Sequence, residues 1–209
     1  MQLTKFKHAC FALSKNNQTI VVDPGVFSTD FIADNTTVAV VITHEHADHL
    51  DANHLQAIVD NNPDVIVIAH STITSKLSQF KTTAVAAGDT LSVGDFSLAF
   101  YGGQHATIHP TIPIVANLGV MIDKKVYYPG DSFVAPQMPV EVLALPACAP
   151  WMKISEAIDF LTTIAPATAF PTHDALLSSD GKAIFNRLFT MFAEKSDIDY
   201  CADIKTLDL

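Results

Sequence analysis

Residues 43–49 have the sequence Thr-His-Glu-His-Ala-Asp-His, which places three imidazoles and an aspartate within six consecutive positions. The β-branched apolar run at residues 38–42 comes directly before this stretch and predicts a buried strand. Residues 50–60 repeat apolar side chains at helical spacing and predict a helix. The cluster therefore lies on a strand-to-helix turn, where α/β proteins collect ligands and substrates.

The spacing within this turn favours metal binding. His44 and His46 are two positions apart, so in extended backbone both project to the same side. Asp48 and His49 follow at the predicted start of the helix and can reach a second point nearby. Neutral imidazole and carboxylate ligands suit zinc, manganese or iron, so we expect this turn to help bind two metal ions.

Length and charge limit the class of protein. The chain has 209 residues, about half of them apolar, which predicts a single domain over residues 1–209 with a core that covers both faces of a sheet. The formal net charge is −10, and Arg187 is the only arginine beside eleven lysines. We therefore expect no nucleic-acid partner, because a phosphate backbone needs clustered basic groups.

Cysteine usage and hydropathy bear on the compartment. Cys10, Cys148 and Cys201 are odd in number, far apart and without metal-thiolate spacing, which predicts reduced thiols in a cytoplasm. Lys5, Lys7 and His8 interrupt the first 13 residues, so no signal-peptide core is expected there. No apolar run has the length of a membrane span, and no membrane partner is expected.

The hydrophobic pattern along the rest of the chain alternates between strands and helices. Helices are predicted at residues 71–80, 154–164 and 181–193. Strands are predicted at residues 5–8, 10–14, 19–23, 65–69, 83–86, 96–101, 115–122, 126–128, 142–145, 167–170 and 198–201. This order predicts two sheets packed face to face with helices outside.

Four predicted strand ends deliver ligand-type residues. They are the turn at residues 44–49, His105 after a glycine pair, Asp131 after Pro-Gly, and His173 after Pro-Thr. The carboxyl ends of strands meet at one edge of a sheet, so we expect these side chains to lie close together.

These residues resemble the metallo-β-lactamase superfamily. Its His-x-His-x-Asp-His signature stands at residues 44–49, its supporting aspartate at Asp23, and its later ligands at His105, Asp131 and His173. A closer resemblance is to bacterial metal-dependent hydrolases of the branch that contains ascorbate-6-phosphate lactonase. That closer match is carried by residues 7–10, 104–106, 129–132 and 150–153.

The resemblance implies a four-layer αββα sandwich, with two mixed sheets face to face and helices outside. It also implies two divalent metal ions, with zinc as the first expectation and manganese or iron as alternatives. A water shared by the metals would attack a small ester, lactone or phosphoester, and Asp48 would also orient that water. The implied ligands are His44, His46 and His105 for one metal, Asp48, His49 and His173 for the other, and Asp131 as the bridge.

Two further residues have implied roles in supporting the reaction. Asp23 is expected to support a histidine ligand or the ligand turn, and the alternative is a simple turn-forming aspartate in Asp-Pro-Gly. His8 is a catalytic candidate that assists a leaving group or binds substrate, and the alternative is a core histidine.

Three residues are candidates for substrate binding. Trp151 would form an apolar wall, Lys153 would meet an anionic group of a small-molecule substrate, and His109 would line the pocket. The alternatives are a tryptophan that anchors a loop, a solvated lysine at a helix start and an exposed loop histidine. His54 and His70 are interpreted as packing residues.

Two other functions share this fold. A flavodiiron-like oxidoreductase carries glutamate at the second ligand position, whereas this chain has His46 there and Glu45 as a spacer. A non-catalytic metal-binding protein of the fold would have lost ligands, whereas all seven are present. The sequence therefore favours the hydrolase.

Overall fold

The computed structural model describes residues 1–209 and contains two seven-stranded sheets. The first sheet comprises β1 (Gln2–Lys5), β2 (Phe11–Lys15), β3 (Gln18–Val22), β4 (Thr37–Val41), β5 (Ile66–His70), β6 (Thr82–Val85) and β14 (Thr206–Asp208), in the order β14-β1-β2-β3-β4-β5-β6. The second comprises β7 (Thr90–Val93), β8 (Phe96–Gly102), β9 (Leu118–Ile122), β10 (Val126–Tyr128), β11 (Val142–Pro146), β12 (Thr168–Thr172) and β13 (Asp199–Tyr200), in the order β13-β12-β11-β10-β9-β8-β7.

Both sheets are mixed, as predicted. In the first, β14 to β3 pair antiparallel and β3 to β6 pair parallel. In the second, β7 to β10 pair antiparallel and β10 to β13 pair parallel. The parallel halves require crossover connections, and these carry the helices α1 (Ala52–Asn61), α2 (Ser71–Thr74), α3 (Ile154–Ile164) and α4 (Ser179–Glu194).

The layers follow from alternation along the strands. In β4, Ala39 and Val41 join a 21-residue core between the sheets, whereas Val40 points to the outer face of the first sheet. Such a period of two is what a strand buried on both faces requires. Outside the first sheet Val40 packs with Leu55 of α1, and outside the second a separate core includes Leu161 of α3. The predicted four-layer αββα sandwich is confirmed.

Several predicted elements differ in extent from those observed. The helix predicted at residues 71–80 stops at Thr74, since Thr72, Ile73 and Thr74 are consecutive β-branched residues with low helix propensity. The helix predicted from residue 50 begins at Ala52, where the Asp51 side chain accepts a hydrogen bond from the backbone of Asn53. Asp48 and His49 therefore lie in the turn before that helix.

The first and last strands also differ from the prediction. The strand expected at residues 5–8 is observed at Gln2–Lys5, and the chain then turns through His8, whose φ is 61°. Strand β14 was not predicted, and it pairs with β1 from the other end of the chain. The longest helix, α4, has 16 residues, and none of the four has the length and apolar character that a bilayer crossing needs.

Candidate metal centre

Strands of both sheets end at one edge of the sandwich and deliver polar side chains there. In the first sheet, β3 leads into Asp23 and β4 into residues 43–49. In the second, β8 leads towards His105, β10 towards Asp131 and β12 into His173. The parallel register of β3 with β4, and of β10 with β11 and β12, directs these ends to the same side.

The delivered side chains form two adjacent groups. In each group the potential ligand atoms lie within 4.8 Å of one another. The imidazole rings of His44 and His49, one from each group, have centroids 3.9 Å apart. One group is His44, His46 and His105, and the other is His8, Asp48, His49 and His173.

Asp131 lies between these groups. Its Oδ1 is 3.3 Å from His49 Nε2, and its Oδ2 is 3.3 Å from both His105 Nε2 and His173 Nε2. Asp48 Oδ2 is also 3.2 Å from His173 Nε2. The two carboxylates thus face imidazole nitrogens that come from both sheets.

These close contacts do not have hydrogen-bond geometry. The Nε2 atoms of His49, His105 and His173 and the Oδ1 atom of Asp131 are buried without a hydrogen-bonding partner. An unpaired buried polar group ordinarily costs about 1–3 kcal/mol, so four such atoms at one point indicate a binding site. Buried nitrogen and oxygen lone pairs that converge in this way fit a divalent cation.

The opposite ring nitrogens are occupied. In each of the same three histidines Nδ1 faces an acceptor of the protein, which favours the tautomer with its proton on Nδ1 and leaves the Nε2 lone pair available. The acceptors are Asp23 Oδ2 for His49 (2.7 Å), the Ala106 carbonyl for His105 (2.5 Å) and the Cys148 carbonyl for His173 (2.6 Å).

Asp23 organises the turn that carries most of the candidate ligands. Its side chain is fully buried and accepts hydrogen bonds from the backbone N–H of Thr43, the Thr43 hydroxyl and His49 Nδ1. Because the Thr43 hydroxyl donates its only hydrogen to Asp23, its contact of 3.1 Å with His44 Nδ1 must be an acceptor contact. One carboxylate therefore orients two histidines.

The Asp-Pro-Gly turn presses directly on the ligand turn. A Cβ atom at Gly25 would lie 2.0 Å from the carbonyl of Asp48 and 2.4 Å from the backbone nitrogen of His49. The backbone N–H of Val26 donates to the carbonyl of Ala47 at 2.9 Å. Glycine is thus required at position 25, because two backbones approach each other closely there. The turn that contains Asp23 therefore also supports the ligand turn.

His8 is fixed beside Asp48. Its Nε2 lies 3.0 Å from Asp48 Oδ2, and its carbonyl accepts hydrogen bonds from the Lys5 ammonium (2.8 Å) and the His173 backbone (3.2 Å). His8, Asp23 and His173 all have positive φ, at 61°, 45° and 59°. Non-glycine residues rarely adopt this conformation, and such strain concentrates where side chains must be aimed at a site.

The local charges suit a cation. Burial opposes protonation of His173, but the Asp131 and Asp48 carboxylates outweigh it and raise the pKa of His173 to about 10, so they stabilise a positive charge beside Nε2, be it a proton or a metal cation in its place. Burial also disfavours the ionised form of Asp131, yet His49 and the neighbouring histidines hold its pKa well below the usual value. Both carboxylates are thus ionised at neutral pH, which is the form that ligates metal.

Access to the centre is uneven. His44 is fully buried, and burial lowers its pKa well below the usual value, so its ring is neutral. In contrast, the Asp48 side chain is 21% exposed and His46 is half-buried. The centre is therefore open to solvent at Asp48 and His46.

The three substrate-binding candidates lie in different surroundings. The indole Nε1–H of Trp151 donates to Asp131 Oδ2 at 2.7 Å, so this ring contacts the centre itself. Lys153 is exposed at the start of α3, and its backbone N–H donates to Glu156. His109 is exposed, its ring bonds to Thr111 of its own loop, and it belongs to neither group of candidate ligands.

Sequence reasoning missed Asn117. It is fully buried, its Oδ1 accepts the backbone N–H of Asp131 at 2.9 Å, and its Nδ2 donates to the Pro129 carbonyl. Gly130, with φ of 62°, lies so close that a Cβ atom would be 2.3 Å from the Asn117 amide oxygen. A lone amide directly before the apolar strand β9 was the available signal.

The chain is similar to known proteins in sequence. The model of the family described as Beta-lactamase superfamily domain matches residues 2–173. Protein Rv0786c of Mycobacterium tuberculosis is 38% identical over 190 residues, which cover 88% of this chain and 89% of that protein.

Two solved structures share the fold. A candidate metal-dependent hydrolase from Parabacteroides distasonis has a TM-score of 0.75 at 25% identity, over 96% of this chain and 91% of that one. CmlA, a diiron β-hydroxylase from Streptomyces venezuelae, has a TM-score of 0.75 at 16% identity, over 100% of this chain and 53% of that one. The family match and the architecture agree with the resemblance of residues 43–49. The chain therefore belongs to the metallo-β-lactamase superfamily, which the matching model describes as Beta-lactamase superfamily domain.

Proposed function

We propose that the protein is a dinuclear metal-dependent hydrolase that acts on a small ester, lactone or phosphoester. One observation carries this proposal: imidazole Nε2 atoms from three different loops meet the Asp131 carboxylate without hydrogen bonds, while their Nδ1 atoms are occupied. The likeness to a candidate metal-dependent hydrolase from Parabacteroides distasonis supports the same class of activity.

The proposed ligand sets follow the two groups of side chains. Asp131, which faces histidines of both groups, is the proposed bridge. Two divalent cations held there would lower the pKa of a water molecule and polarise a carbonyl or phosphoryl oxygen. One set is His44, His46 and His105, and the other is Asp48, His49 and His173.

The residues around the centre have distinct parts in the reaction. Asp48 is the more exposed carboxylate, so it faces the entering water and holds it for attack. His8 is fully buried and holds Asp48 in place through its Nε2, so its proposed part in the reaction is to position Asp48. Asp23 fixes the orientation of His49, and Trp151 fixes that of Asp131.

Zinc is the proposed native metal, because imidazole-rich sets with few carboxylates suit it well. Manganese and iron share these ligands, and the diiron β-hydroxylase shows that iron occurs on a related fold. The oxidoreductase alternative has less support, since His46 stands where the flavodiiron pattern has glutamate and the likeness to CmlA is one of fold alone.

Two finer assignments belong to the proposal. We propose that the chain belongs near the ascorbate-6-phosphate lactonase branch, and the resemblance of residues 7–10, 104–106, 129–132 and 150–153 supports this. Cys10, Cys148 and Cys201 form no disulfide, which supports a reducing, cytoplasmic location.

The function can be tested by metal content and turnover together. Protein purified without chelator is expected to contain two divalent metal ions per chain, measured by elemental analysis, because the structure offers two adjacent ligand groups. Panels of lactones, esters and phosphodiesters should reveal hydrolysis that a chelator removes and that zinc or manganese restores.

Two outcomes would contradict the proposal in different ways. Protein that stays metal-free when saturated with zinc and manganese would show that the centre is not a metal site. Protein that binds two metals but hydrolyses no member of any panel would favour the non-catalytic, metal-binding alternative.

Lys153 is the proposed contact for an anionic group of the substrate. It lies two residues after Trp151, and its ammonium has no carboxylate within 4 Å, so it is free to pair with a phosphate or carboxylate. Lys153→Met should raise KM for an anionic substrate about fivefold with a smaller change in kcat, because an exposed ion pair contributes about 1 kcal/mol.

The measurement compares an anionic substrate with its neutral analogue in both proteins. Methionine retains most of the aliphatic packing of lysine, so the change isolates the charge. If the variant keeps the full preference for the anionic member, Lys153 is only a solvated residue at a helix start.

A further inference from the structure

Exposed apolar side chains concentrate around the candidate centre. Nine large apolar residues are strongly exposed in this protein, and seven of them belong to the loops that leave the ligand-bearing strand ends. Single exposed apolar residues are ordinary, but a concentration at one edge indicates binding. Ile32 stands further along the loop after β3, and the other six, which we call the apolar rim, are Val26, Phe27, Ile112, Ile114, Val134 and Leu176.

Contacts connect the rim to the centre on two sides. The Phe27 ring meets the His8 ring edge-on with centroids 5.1 Å apart, and His8 contacts Asp48. On the other side, Ile112 and Ile114 line a small cavity together with His46 and His105. The apolar rim therefore borders the exposed side of the centre, at Asp48 and His46.

Aromatic rings extend this apolar border. The Trp151 ring lies 6.1 Å from His105 and 5.0 Å from Phe133, measured between centroids. Because the Trp151 indole is bound to Asp131, its ring is fixed beside the centre. A molecule that enters here meets a hydrocarbon surface before it reaches the carboxylates.

The lysines close to these loops are already engaged. Lys76 pairs with Glu45 at 2.5 Å, Lys182 pairs with Asp174 at 2.6 Å, and the Lys7 ammonium bonds to a threonine hydroxyl at 3.0 Å. Lys153 and Lys7, whose ammonium meets only an uncharged hydroxyl, are the cations here without a carboxylate partner, so the approach suits a hydrocarbon group and at most one or two anionic groups. It does not suit a polyanion, which needs several unpaired cations.

We infer that the apolar rim binds a hydrocarbon group of the substrate, so that the substrate is an ester or lactone with an alkyl or aryl arm. This inference rests on the proposed hydrolase function. A small substrate is the occupant that the geometry favours, because Phe27 and Ile112 lie against His8 and the ligand loops themselves. A protein or bilayer seated at that point would cover Asp48 and close the approach.

A binding series tests the rim without any need for turnover. Butanamide, hexanamide and octanamide are titrated into the metal-loaded protein, and binding is followed by the emission of Trp151, the only tryptophan. In the wild type we expect Kd to fall about two- to fourfold per added methylene, the upper value corresponding to full burial. In Ile112→Ser/Ile114→Ser, the change in log Kd per added methylene should be less than half of its wild-type value.

Ile184→Ser is the matched control. Ile184 is 51% exposed, close to the 49% of Ile114, but it lies on α4 away from the ligand loops. This control should keep the wild-type dependence on chain length. Phe27→Ser tests the opposite side of the approach independently, and it should weaken octanamide binding more than butanamide binding.

A parallel series of p-nitrophenyl esters, from acetate to octanoate, separates the two proposals. We expect kcat/KM to rise with chain length in the wild type and Ile184→Ser, and to rise less in Ile112→Ser/Ile114→Ser. If the amides bind with this dependence but neither these esters nor the lactones and phosphodiesters of the panels are hydrolysed, the hydrolase proposal fails and the rim assignment stands. If amide binding does not depend on chain length, the rim assignment is wrong.

Two other occupants would also overturn the inference. If sedimentation velocity shows a wild-type dimer that becomes a monomer in Ile112→Ser/Ile114→Ser, the rim is a contact between two copies of the chain. Pelleting of the wild type, but not of this variant, with phosphatidylcholine vesicles would make it a membrane contact. We expect neither result, and thermal unfolding should show that the exposed substitutions leave the fold intact.

Discussion

Asp131→Ala is expected to lower kcat/KM by about a thousandfold or more, because it removes the proposed bridging ligand. Asp131 is the one side chain that lies 3.3 Å from imidazole nitrogens of His49, His105 and His173. Without its charge these three rings lose their shared carboxylate, and the metal content should fall well below two ions per chain.

Graded variants make this prediction specific. His8→Ala should change metal content less than Asp131→Ala does, because His8 contacts Asp48 and not Asp131. Trp151→Phe removes only the indole donor to Asp131, so we expect an intermediate loss of metal affinity of about 10- to 100-fold. Metal content equal to that of the wild type in Asp131→Ala would contradict the assignment of the bridge.

Asp23→Ala is expected to lower the free energy of unfolding by about 3–5 kcal/mol, since it breaks a buried, hydrogen-bonded pair. The Asp23 carboxylate is fully buried and accepts three hydrogen bonds, two from Thr43 and one from His49. Alanine would leave these donors without an acceptor. Metal affinity should also fall about 10- to 100-fold, because His49 would lose its orientation.

Urea unfolding of the metal-free and metal-loaded proteins measures both effects. Asp64→Ala is the control, because Asp64 is exposed and should change stability by less than about 0.5 kcal/mol. Asp23→Asn keeps one acceptor oxygen, and asparagine tolerates the φ of 45° at this position. Its free energy of unfolding should therefore lie between those of Asp23→Ala and Asp64→Ala. Equal unfolding free energies for Asp23→Ala and Asp64→Ala would reduce Asp23 to a turn-forming residue.

The sequence alone was sufficient to predict the architecture and the place of the centre. Apolar alternation identified most strands, and the edge to which they point follows from the general rule for parallel strand ends. The spacing within residues 43–49 is local information, so the grouping of His44 with His46 needs no tertiary contact. These predictions depend on backbone periodicity, which a short stretch of chain determines by itself.

Contacts between distant segments could not be predicted in the same way. Trp151 was predicted to line the substrate pocket, and nothing in its sequence context indicated that it also donates to Asp131, which is 20 positions away. Asn117 was missed, although it holds the backbone of Asp131. A tryptophan or an asparagine has no periodic pattern that names its partner, and the partner is chosen only when the folded chain satisfies its buried donors and acceptors.

The strands and turns at the margins of the fold show the same division. Residues 2–5 and 206–208 form β1 and β14 only because the two ends of the chain meet, with Leu3 opposite Leu207. His8 adopts its positive φ because Lys5 and the backbone of His173 hold its carbonyl. The sequence by itself determined most of the elements, their order and the candidate ligand residues, because periodicity and turn chemistry are local. The tertiary structure decided the strand edges, the aim of each ligand and the apolar rim, because these depend on close packing between segments far apart in the chain.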